Sequence, residues 1–445
     1  MNKPELLLPA GNLEKLEYAV KYGADAVYLG VVDFSLRSMR KGELITFDNL
    51  KQAIDLAHTL GAKAYLTLNI FAFNNDIENL EKSIDIIKDA NPNAIILSDF
   101  GVFRIVKKYL PNIPIHVSTQ ANTLNYEAVK FWQDNGAKRI ILARELPISD
   151  VAKIREKVPD IELEVFVHGS QCVSFSGRCL LSDYMTDNER KANQGGCTQP
   201  CRWSYKLVEA TRPNEFFEIE QNDRGSHILS PKDLCLVEHL QKLIDAGINS
   251  FKIEGRTKSL YYVSAVAKAY RNAIDEVLKN PKADLSKYLE ELKKVGNRGF
   301  TQGFYLGDNN SESYSYDVSK GLAGADFLCE FWDKTSDGTE VHLEGRVGLL
   351  SHHQEVGHAL NAPRYEFYKV KIKNKILLND EVEIITPNEQ FLTKVVEIKD
   401  KDGCNCEIAN TNDEIFIKFA QAPKDYEYAL ARTPGVLFIN KKIKM

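Results

Sequence analysis

Short apolar segments alternate with amphipathic segments through the first half of the chain, and this alternation constrains the fold more than any other feature. The amphipathic segments, such as 12–21 and 47–60, place apolar residues at intervals of three and four, as helices do. Eight apolar segments have the length of buried strands: 5–9, 26–30, 64–70, 94–98, 115–118, 139–143, 163–168 and 250–254. Eight such strands, each followed by a helix, close a barrel.

Glycines mark the ends of several helical segments. Each precedes a strand by a few residues, at Gly23, Gly61, Gly136 and Gly247. Glycine readily adopts the left-handed conformation that ends a helix. We therefore expect an α/β fold with a (β/α)8 TIM-like barrel, and a doubly wound open sheet is the competing architecture.

The length of 445 residues exceeds what one hydrophobic core usually supports. After a long helical segment at 259–279 the pattern changes to alternation with a period of two, at 340–349, 365–372, 381–385 and 391–398. We expect a TIM-like catalytic domain over residues 1–310 and a β-barrel domain over 321–445. The segment 308–320, rich in Asn, Ser, Asp and Tyr, marks the break between them.

An insertion at about 169–249 separates the seventh predicted strand from the eighth and holds five of the eight cysteines. Insertions after barrel strands build the catalytic face. We expect a hairpin from 203–209 and 216–220, and a helix at 234–246.

The net charge of −5 excludes a strong overall positive field, so nucleic acid would have to bind a local patch. No apolar run approaches the roughly 18 residues of a membrane span. Residues 1–4 lead directly into a strand and lack the features of a signal peptide. We therefore expect a cytoplasmic protein, in which clustered thiols serve metal or redox chemistry rather than disulfides.

The cysteine spacing favours an iron–sulfur cluster assembled from separate loops. Cys172 and Cys179 are separated by six residues, and Cys197 and Cys201 by three, with Cys235 further along the chain. This is neither the pattern of a zinc ribbon nor the compact run of a bacterial ferredoxin. Four thiolates complete a cluster, so one of the five is spare. Zinc and buried, unliganded thiols remain the alternatives.

Polar residues end three of the predicted strands and should face the catalytic end of the barrel. These residues are Gln120, Asn122, Arg144, Glu145, Glu254 and Arg256. Arginine can bind a carboxylate at two points, and Arg178, Arg202 and Arg256 are the candidates for this contact. Ion pairs that brace the loops would explain the same arginines. His168 is a candidate for proton transfer, although a hydrogen-bonded structural histidine explains it as well.

Several strings resemble the signatures of peptidase family U32. They are Glu5-Leu-Leu-Leu-Pro-Ala-Gly11, His168-Gly-Ser-Gln-Cys172, Ser176-Gly-Arg-Cys179, Asn193-Gln-Gly-Gly-Cys-Thr-Gln-Pro-Cys-Arg-Trp203 and Lys252-Ile-Glu-Gly-Arg-Thr-Lys-Ser259. The resemblance spans roughly residues 1–280. The family was first described as collagenase-like proteases, and other branches hydroxylate tRNA, ribosomal RNA or ubiquinone precursors without oxygen. The fourth of these strings, which ends at Trp203, is most similar to the tRNA branch.

The resemblance implies an enzyme with a [4Fe-4S] cluster that hydroxylates the wobble uridine of tRNA, with prephenate as the co-substrate. It implies Cys172, Cys179 and Cys197 as ligands, with Cys235 preferred over Cys201 as the fourth. An iron–sulfur assembly machinery is the implied partner, and the oligomeric state is open. A U32-type peptidase and hydroxylation of ribosomal RNA are the alternative functions. A cysteine protease would need a thiolate beside a histidine, which His168 and Cys172 could imitate.

Site roles follow from the same resemblance and from residue chemistry. We expect His168, Glu254 and Arg256 to be catalytic. We expect Arg144, Arg178, Arg202, Trp203 and Lys258 to bind substrate. Aromatic side chains beside cations commonly hold a base displaced from its loop, and the aromatic candidates are Trp203, Tyr205, Tyr261 and Tyr262. Packing alone would explain aromatic residues at these positions equally well.

Overall fold

The computed structural model describes residues 3–32, 34–36, 44–187, 189–203, 221–222, 225–226, 230–307, 313–314, 325–335 and 367–434. The chain divides into two compact units, Met1–Ala323 and Gly324–Met445. The predicted hairpin beyond Trp203, the predicted strand at 340–349 and most of the predicted break at 308–320 lie outside the described residues.

Seven parallel strands open the first unit: β1 (Glu5–Pro9), β2 (Ala26–Leu29), β3 (Lys63–Leu68), β4 (Ala94–Leu97), β5 (Ile115–Val117), β6 (Arg139–Ile141) and β7 (Glu162–Gly169). Six helices follow the first six strands: α1 (Leu13–Lys21), α2 (Phe47–Thr59), α3 (Asn74–Ala90), α4 (Phe100–Tyr109), α5 (Tyr126–Asp134) and α6 (Ile148–Lys157). The side chains of Asn12, Asp99 and Asn125 accept backbone N–H bonds at the helix starts. The four predicted terminal glycines all have positive φ, which confirms the predicted helix ends.

The insertion after β7 contains α7 (Leu181–Met185), a short pair β8 (Gln221–Asn222) and β9 (Gly225–Ser226), β10 (Asp233–Cys235) and α8 (Leu240–Asp245). The predicted helix at 234–246 was therefore wrong in its first part. Leu234 and Cys235 pair with Gly169 and His168 of β7, and backbone pairing outweighs the local preference for helix.

Strand β11 (Ser250–Ile253) closes the barrel. Ser250 lies opposite Glu5 of β1 on one side and opposite Glu164 of β7 on the other. All eight neighbouring pairs are parallel, from β1 through β7 and back through β11. The predicted TIM-like barrel is confirmed, and the doubly wound sheet is excluded because an open sheet leaves its edge strands unpaired. The unit continues with α9 (Leu260–Lys279), α10 (Ser286–Lys293) and β12 (Phe300–Thr301).

Charged side chains occupy the interior of the barrel towards the amino ends of its strands. Arg139 Nη1 lies 2.5 Å from Glu5 Oε1 and 3.1 Å from Glu164 Oε2. Lys252 Nζ lies 2.9 Å from Glu164 Oε1. Glu164 is completely buried, so its two cationic neighbours compensate a charge that water cannot reach.

The second unit contains a closed antiparallel barrel of six strands, as the alternating pattern predicted. The strands are β13 (Phe327–Thr335), β14 (Phe367–Ile372), β16 (Glu381–Ile385), β17 (Gln390–Lys399), β19 (Glu414–Phe419) and β20 (Leu430–Arg432), and a separate pair is formed by β15 (Ile376–Leu377) and β18 (Ile408–Ala409). Apolar residues such as Val370, Ile384 and Ile417 fill the interior. The buried Arg432 pairs with Glu383 at 2.8 Å.

No helix in the described part of the chain has the length and apolar character needed to cross a membrane.

Candidate functional site

The loop that carries Cys172 and Cys179 is fixed against the carboxyl ends of β5 and β6. Glu145 Oε1 accepts a 2.7 Å hydrogen bond from the backbone N–H of Ser176, and Ser176 Oγ donates to Asn122 Oδ1 at 2.7 Å. Gly177 has φ of +76°, and a Cβ there would lie 2.7 Å from Gln120 Nε2. Glycine suits this position because of its positive φ, whereas the Gln120 amide is the end of a flexible side chain that could move aside.

A cavity of about 420 Å³ lies beside this loop. Four cysteines from the insertion line it: Cys172, Cys179, Cys197 and Cys201. The cavity is also lined by three residues that follow β5 and β6, namely Gln120, Arg144 and Glu145. The four thiols therefore share one cavity at the catalytic end of the barrel.

Backbone N–H groups point at two of the sulfurs. The N–H of Leu181 lies 3.3 Å from Cys179 Sγ, and the N–H of Gln199 lies 3.4 Å from Cys197 Sγ. Cysteine binds metal through its thiolate sulfur. Gly195 and Gly196, which precede Cys197, form a local turn, since Gly195 has positive φ and the Gly196 N–H donates to Lys191 O.

Cys201 is partly buried beside Arg202 and the other three thiols. Burial raises its pKa to about 11, Arg202 opposes this shift, and Cys172, Cys197 and Cys179 add to it. Within the described residues, no group of three or more histidine, cysteine, aspartate or glutamate side chains is arranged to hold a metal ion. The four thiols that line the cavity match in number the ligands of a [4Fe-4S] cluster.

Cys235 lies apart from these four cysteines. It is buried on β10, its Sγ lies 3.8 Å from Tyr270 Oη, and it is not among the residues that line the cavity. Burial raises the pKa of its thiol to about 12. The structure thus brings Cys201 to the other three cysteines and leaves Cys235, the preferred fourth ligand in the sequence analysis, in the core.

His168 also lies away from the cavity. Its ring packs against Tyr262, Tyr270 and Phe300, and its Nδ1 lies 3.4 Å from Tyr270 Oη. Burial lowers its pKa to about 3. A base that transfers protons near neutral pH needs a pKa much closer to 7, so the structure does not support the expected catalytic role.

A smaller cavity of about 100 Å³, which we call the inner cavity, lies in the barrel next to the cysteine cavity. Arg144 borders both cavities, and its guanidinium lies 3.9 Å from the centre of the Phe166 ring. Arg256 and Glu254 line only the inner cavity, as does Lys252. The sequence analysis did not propose Lys252 as a site residue, because it lies in a segment that has the apolar character of a buried strand. Burial lowers the pKa of Lys252, and Glu164 opposes this shift.

The remaining substrate-binding candidates occupy different positions. Arg202 lines the cysteine cavity and donates to Gln171 O at 3.1 Å. Arg178 donates to Gln120 O at 3.1 Å, which is the bracing role that the sequence left open. Lys258 Nζ lies 5.1 Å from the centre of the Tyr262 ring and, like Arg178, is not among the residues lining the cavity.

Exposed apolar side chains surround the cysteine loops. Trp203 is 40% exposed, and Tyr184 is 80% exposed. Phe175 and Leu180 are also exposed. Two of the predicted aromatic candidates, Tyr261 and Tyr262, belong instead to the buried face of α9, and Tyr205 lies outside the described residues. The sequence analysis did not single out Tyr184, Phe175 or Leu180, because nothing but their position in the insertion distinguishes them.

Comparison with known proteins identifies the family. The model of Peptidase family U32 matches residues 11–315, and that of the Peptidase family U32 C-terminal domain matches residues 351–432. The chain belongs to peptidase family U32. The resemblance of the cysteine-rich strings is thereby confirmed.

Relatives within the family carry two kinds of name. Haemophilus influenzae tRNA hydroxylation protein P is 36% identical, covering 96% of this chain and 95% of its own length. Bacillus subtilis tRNA hydroxylation protein P1 is 36% identical, covering 97% of this chain and 94% of its own length. A Porphyromonas gingivalis protein named Collagenase is 33% identical, covering 70% of this chain and 76% of its own length.

Proposed function

We propose that this U32 protein is an iron–sulfur enzyme that hydroxylates the wobble uridine of tRNA without molecular oxygen. The observation that carries this proposal is the convergence of four cysteines on one cavity at the catalytic end of a TIM-like barrel. Relatives named tRNA hydroxylation protein match nearly the whole chain, including the second unit. A relative named Collagenase matches a smaller share of this chain.

Cys172, Cys179, Cys197 and Cys201 are the proposed ligands of a [4Fe-4S] cluster. All four line the cavity, and the sulfurs of Cys179 and Cys197 already accept backbone N–H bonds. Cys235 is the weaker candidate because it is enclosed by β7, β10 and α9 and would have to leave the core. A bound cluster would supply electron transfer at this position. An iron–sulfur assembly machinery is the proposed source of the cluster.

The inner cavity is the proposed site for the carboxylates of prephenate. Arg144 and Arg256 are the cations proposed to contact these carboxylates, in a space that also contains Glu254 and Lys252. Lys252 is already paired with Glu164. Arg256 Nη1 is already oriented by the Ser35 and Thr67 hydroxyl groups, so its position is set before a ligand binds. Such a site favours a small dianion through charge and hydrogen bonding.

The cysteine cavity is the proposed position of the target base. A base modified at carbon 5 must leave its stack to reach an enclosed site. Trp203, Phe175 and Tyr184 are exposed beside the cysteine loops and can stack on the nucleotides that flank the displaced base. Arg202, which borders the cavity, supplies a cation for the adjacent phosphate.

A cysteine peptidase is not favoured by the geometry. Among the described residues, the histidine nearest to these cysteines in sequence is His168, which is buried among aromatic rings with its pKa lowered to about 3. A histidine in this state does not activate a thiol at neutral pH. The same cysteines are better explained as cluster ligands.

Nucleoside analysis tests the proposed reaction. The gene is deleted, and total tRNA is digested and analysed by mass spectrometry, with ribosomal RNA analysed in parallel. We expect 5-hydroxyuridine and its derivatives to disappear from tRNA and to return with the intact gene but not with Cys201→Ser. If hydroxylated nucleosides are unchanged in tRNA but lost from ribosomal RNA, ribosomal RNA is the substrate. If the hydroxylated nucleosides change in neither RNA, the proposal is refuted.

A further inference from the structure

A groove of about 810 Å³ lies on the outside of the barrel, away from the cysteine cavity. It is formed mainly by α4 and α5, and we call it the α4–α5 groove. Its principal lining residues are Phe100, Arg104, Lys107, Lys108, Phe131 and Trp132. We propose that this groove is a second contact surface for RNA, in which Phe100 stacks on an unpaired base and the cations bind neighbouring phosphates. The inference rests on the proposed RNA substrate and adds a site outside the catalytic cavity.

Phe100 has the geometry of a stacking platform. Its ring lies parallel to Trp132, with centroids 5.0 Å apart and an interplanar angle of 13°. Phe131 contacts Phe100 edge-on at 6.4 Å. Phe100 is nevertheless 61% exposed, so the ring face opposite Trp132 is open to solvent. A flat ring on a rigid aromatic support can stack on a base of any sequence.

The charges around the ring suit a polyanion. Arg104, Lys107 and Lys108 follow Phe100 by four, seven and eight residues, so all three share its side of the helix. Among the described residues that line the groove, every charged one is a cation. Asp99, next to Phe100, does not line the groove. Its carboxylate accepts hydrogen bonds from the N–H groups of Gly101 and Val102 at the start of α4.

The groove is placed to reach an RNA that enters the barrel mouth. Phe100 begins α4 directly after the carboxyl end of β4, and the carboxyl ends of the strands form the catalytic face.

A second copy of this chain is a less suitable occupant of the groove than RNA. A twofold contact would bring the cations of one groove towards the same cations of the other, and like charges repel.

Binding measurements on the full chain test the inference. Affinity for a fluorescently labelled, unmodified tRNA transcript is measured by anisotropy at several salt concentrations. We compare Phe100→Ala and Lys107→Ala/Lys108→Ala with a matched control, Lys153→Ala/Lys157→Ala, which removes two exposed lysines from α6. We expect Phe100→Ala to weaken binding about tenfold with little change in salt dependence. The groove lysine variant should weaken binding and reduce the slope of log K against log salt by about 1.4. The control should bind as the wild type does.

Three results would overturn the inference. If the wild type binds tRNA and both groove variants bind equally well, the groove is not an RNA contact, although the proposed function survives. If the wild type does not bind tRNA, the inference and the proposed function fail together. If light scattering shows a wild-type dimer that Phe100→Ala dissociates while tRNA affinity is unchanged, the groove holds a second copy. If Phe100→Ala does not fold, the tRNA affinity of the groove variant Lys107→Ala/Lys108→Ala tests the inference.

Discussion

Replacing Glu164 with glutamine perturbs the buried charges of the barrel in a way that the structure allows us to quantify. The carboxylate accepts from Arg139 on one oxygen and from Lys252 on the other. An amide can accept on its oxygen only, so its NH2 group must face one of the two cations. Arg139 retains Glu5 and Glu162 as partners. Lys252 therefore loses the carboxylate that compensates its charge.

The expected loss of stability has an upper limit set by the lysine itself. A lysine with a pKa of about 10.4 in the unfolded chain costs roughly 4.6 kcal/mol to neutralise at pH 7, at about 1.36 kcal/mol per pH unit. Breaking a buried pair typically costs about 3–5 kcal/mol. We therefore expect Glu164→Gln to lower the free energy of unfolding by about 3–4.5 kcal/mol at pH 7. The solvent-exposed pair Lys130–Glu127 provides the control, and Glu127→Gln should cost less than about 0.5 kcal/mol.

The pH dependence of this loss has a definite sign. In the variant the pKa of Lys252 is lowered further, so the folded chain binds fewer protons there than the unfolded chain does. Stability then rises with pH, by up to about 1.4 kcal/mol per unit, until the lysine pKa of the unfolded chain is reached. The deficit relative to the wild type should therefore shrink between pH 7 and pH 9.

Urea unfolding followed by tryptophan fluorescence measures these changes. A Trp332→Phe background restricts the signal to Trp132 and Trp203 of the first unit. Glu164→Gln/Lys252→Met, which also removes the unpaired cation, should recover most of the lost stability. A deficit below about 1 kcal/mol, or one that stays constant from pH 7 to pH 9, would refute the reasoning.

Two further substitutions test the site. Arg256→Lys keeps the charge but removes two-point binding, so the KM for prephenate should rise by at least about tenfold, measured by steady-state kinetics; an unchanged KM would remove Arg256 from the anion site. His168→Phe should retain tRNA hydroxylation with an unaltered pH profile between pH 6 and 8, because the buried histidine has a pKa near 3 and Tyr270 keeps its 2.8 Å bond to Val167 O. A loss of activity beyond about a hundredfold in a folded variant would restore His168 as a catalytic candidate.

The barrel could be predicted because its signals are local. Strand length, helical periodicity and terminal glycines are properties of neighbouring residues, and each strand needs only the next one to pair with. The segment at Leu234 was misread because its conformation depends on Gly169, which is distant in sequence. The charge network was missed for the same reason, since Glu164 and Lys252 find each other only when the barrel closes.

The choice between the cysteines shows the same limit. The spacing placed five thiols in one insertion, but it could not show which of them lie outside the barrel core. Cys235 lies on a strand that pairs with β7, and Cys201 follows Pro200 in a single helical turn beside the cavity. Backbone pairing, rather than distance along the chain, separates the two.

Cluster content in cysteine variants tests the central claim most directly. The wild type, Cys201→Ser and Cys235→Ser are purified without air, and iron, acid-labile sulfide and visible absorption are measured per chain. We expect a brown wild type with about four irons, loss of iron and colour in Cys201→Ser, and wild-type iron and colour in Cys235→Ser. A colourless wild type after anaerobic reconstitution, or a Cys201→Ser variant that retains the cluster while Cys235→Ser loses it, would contradict the account.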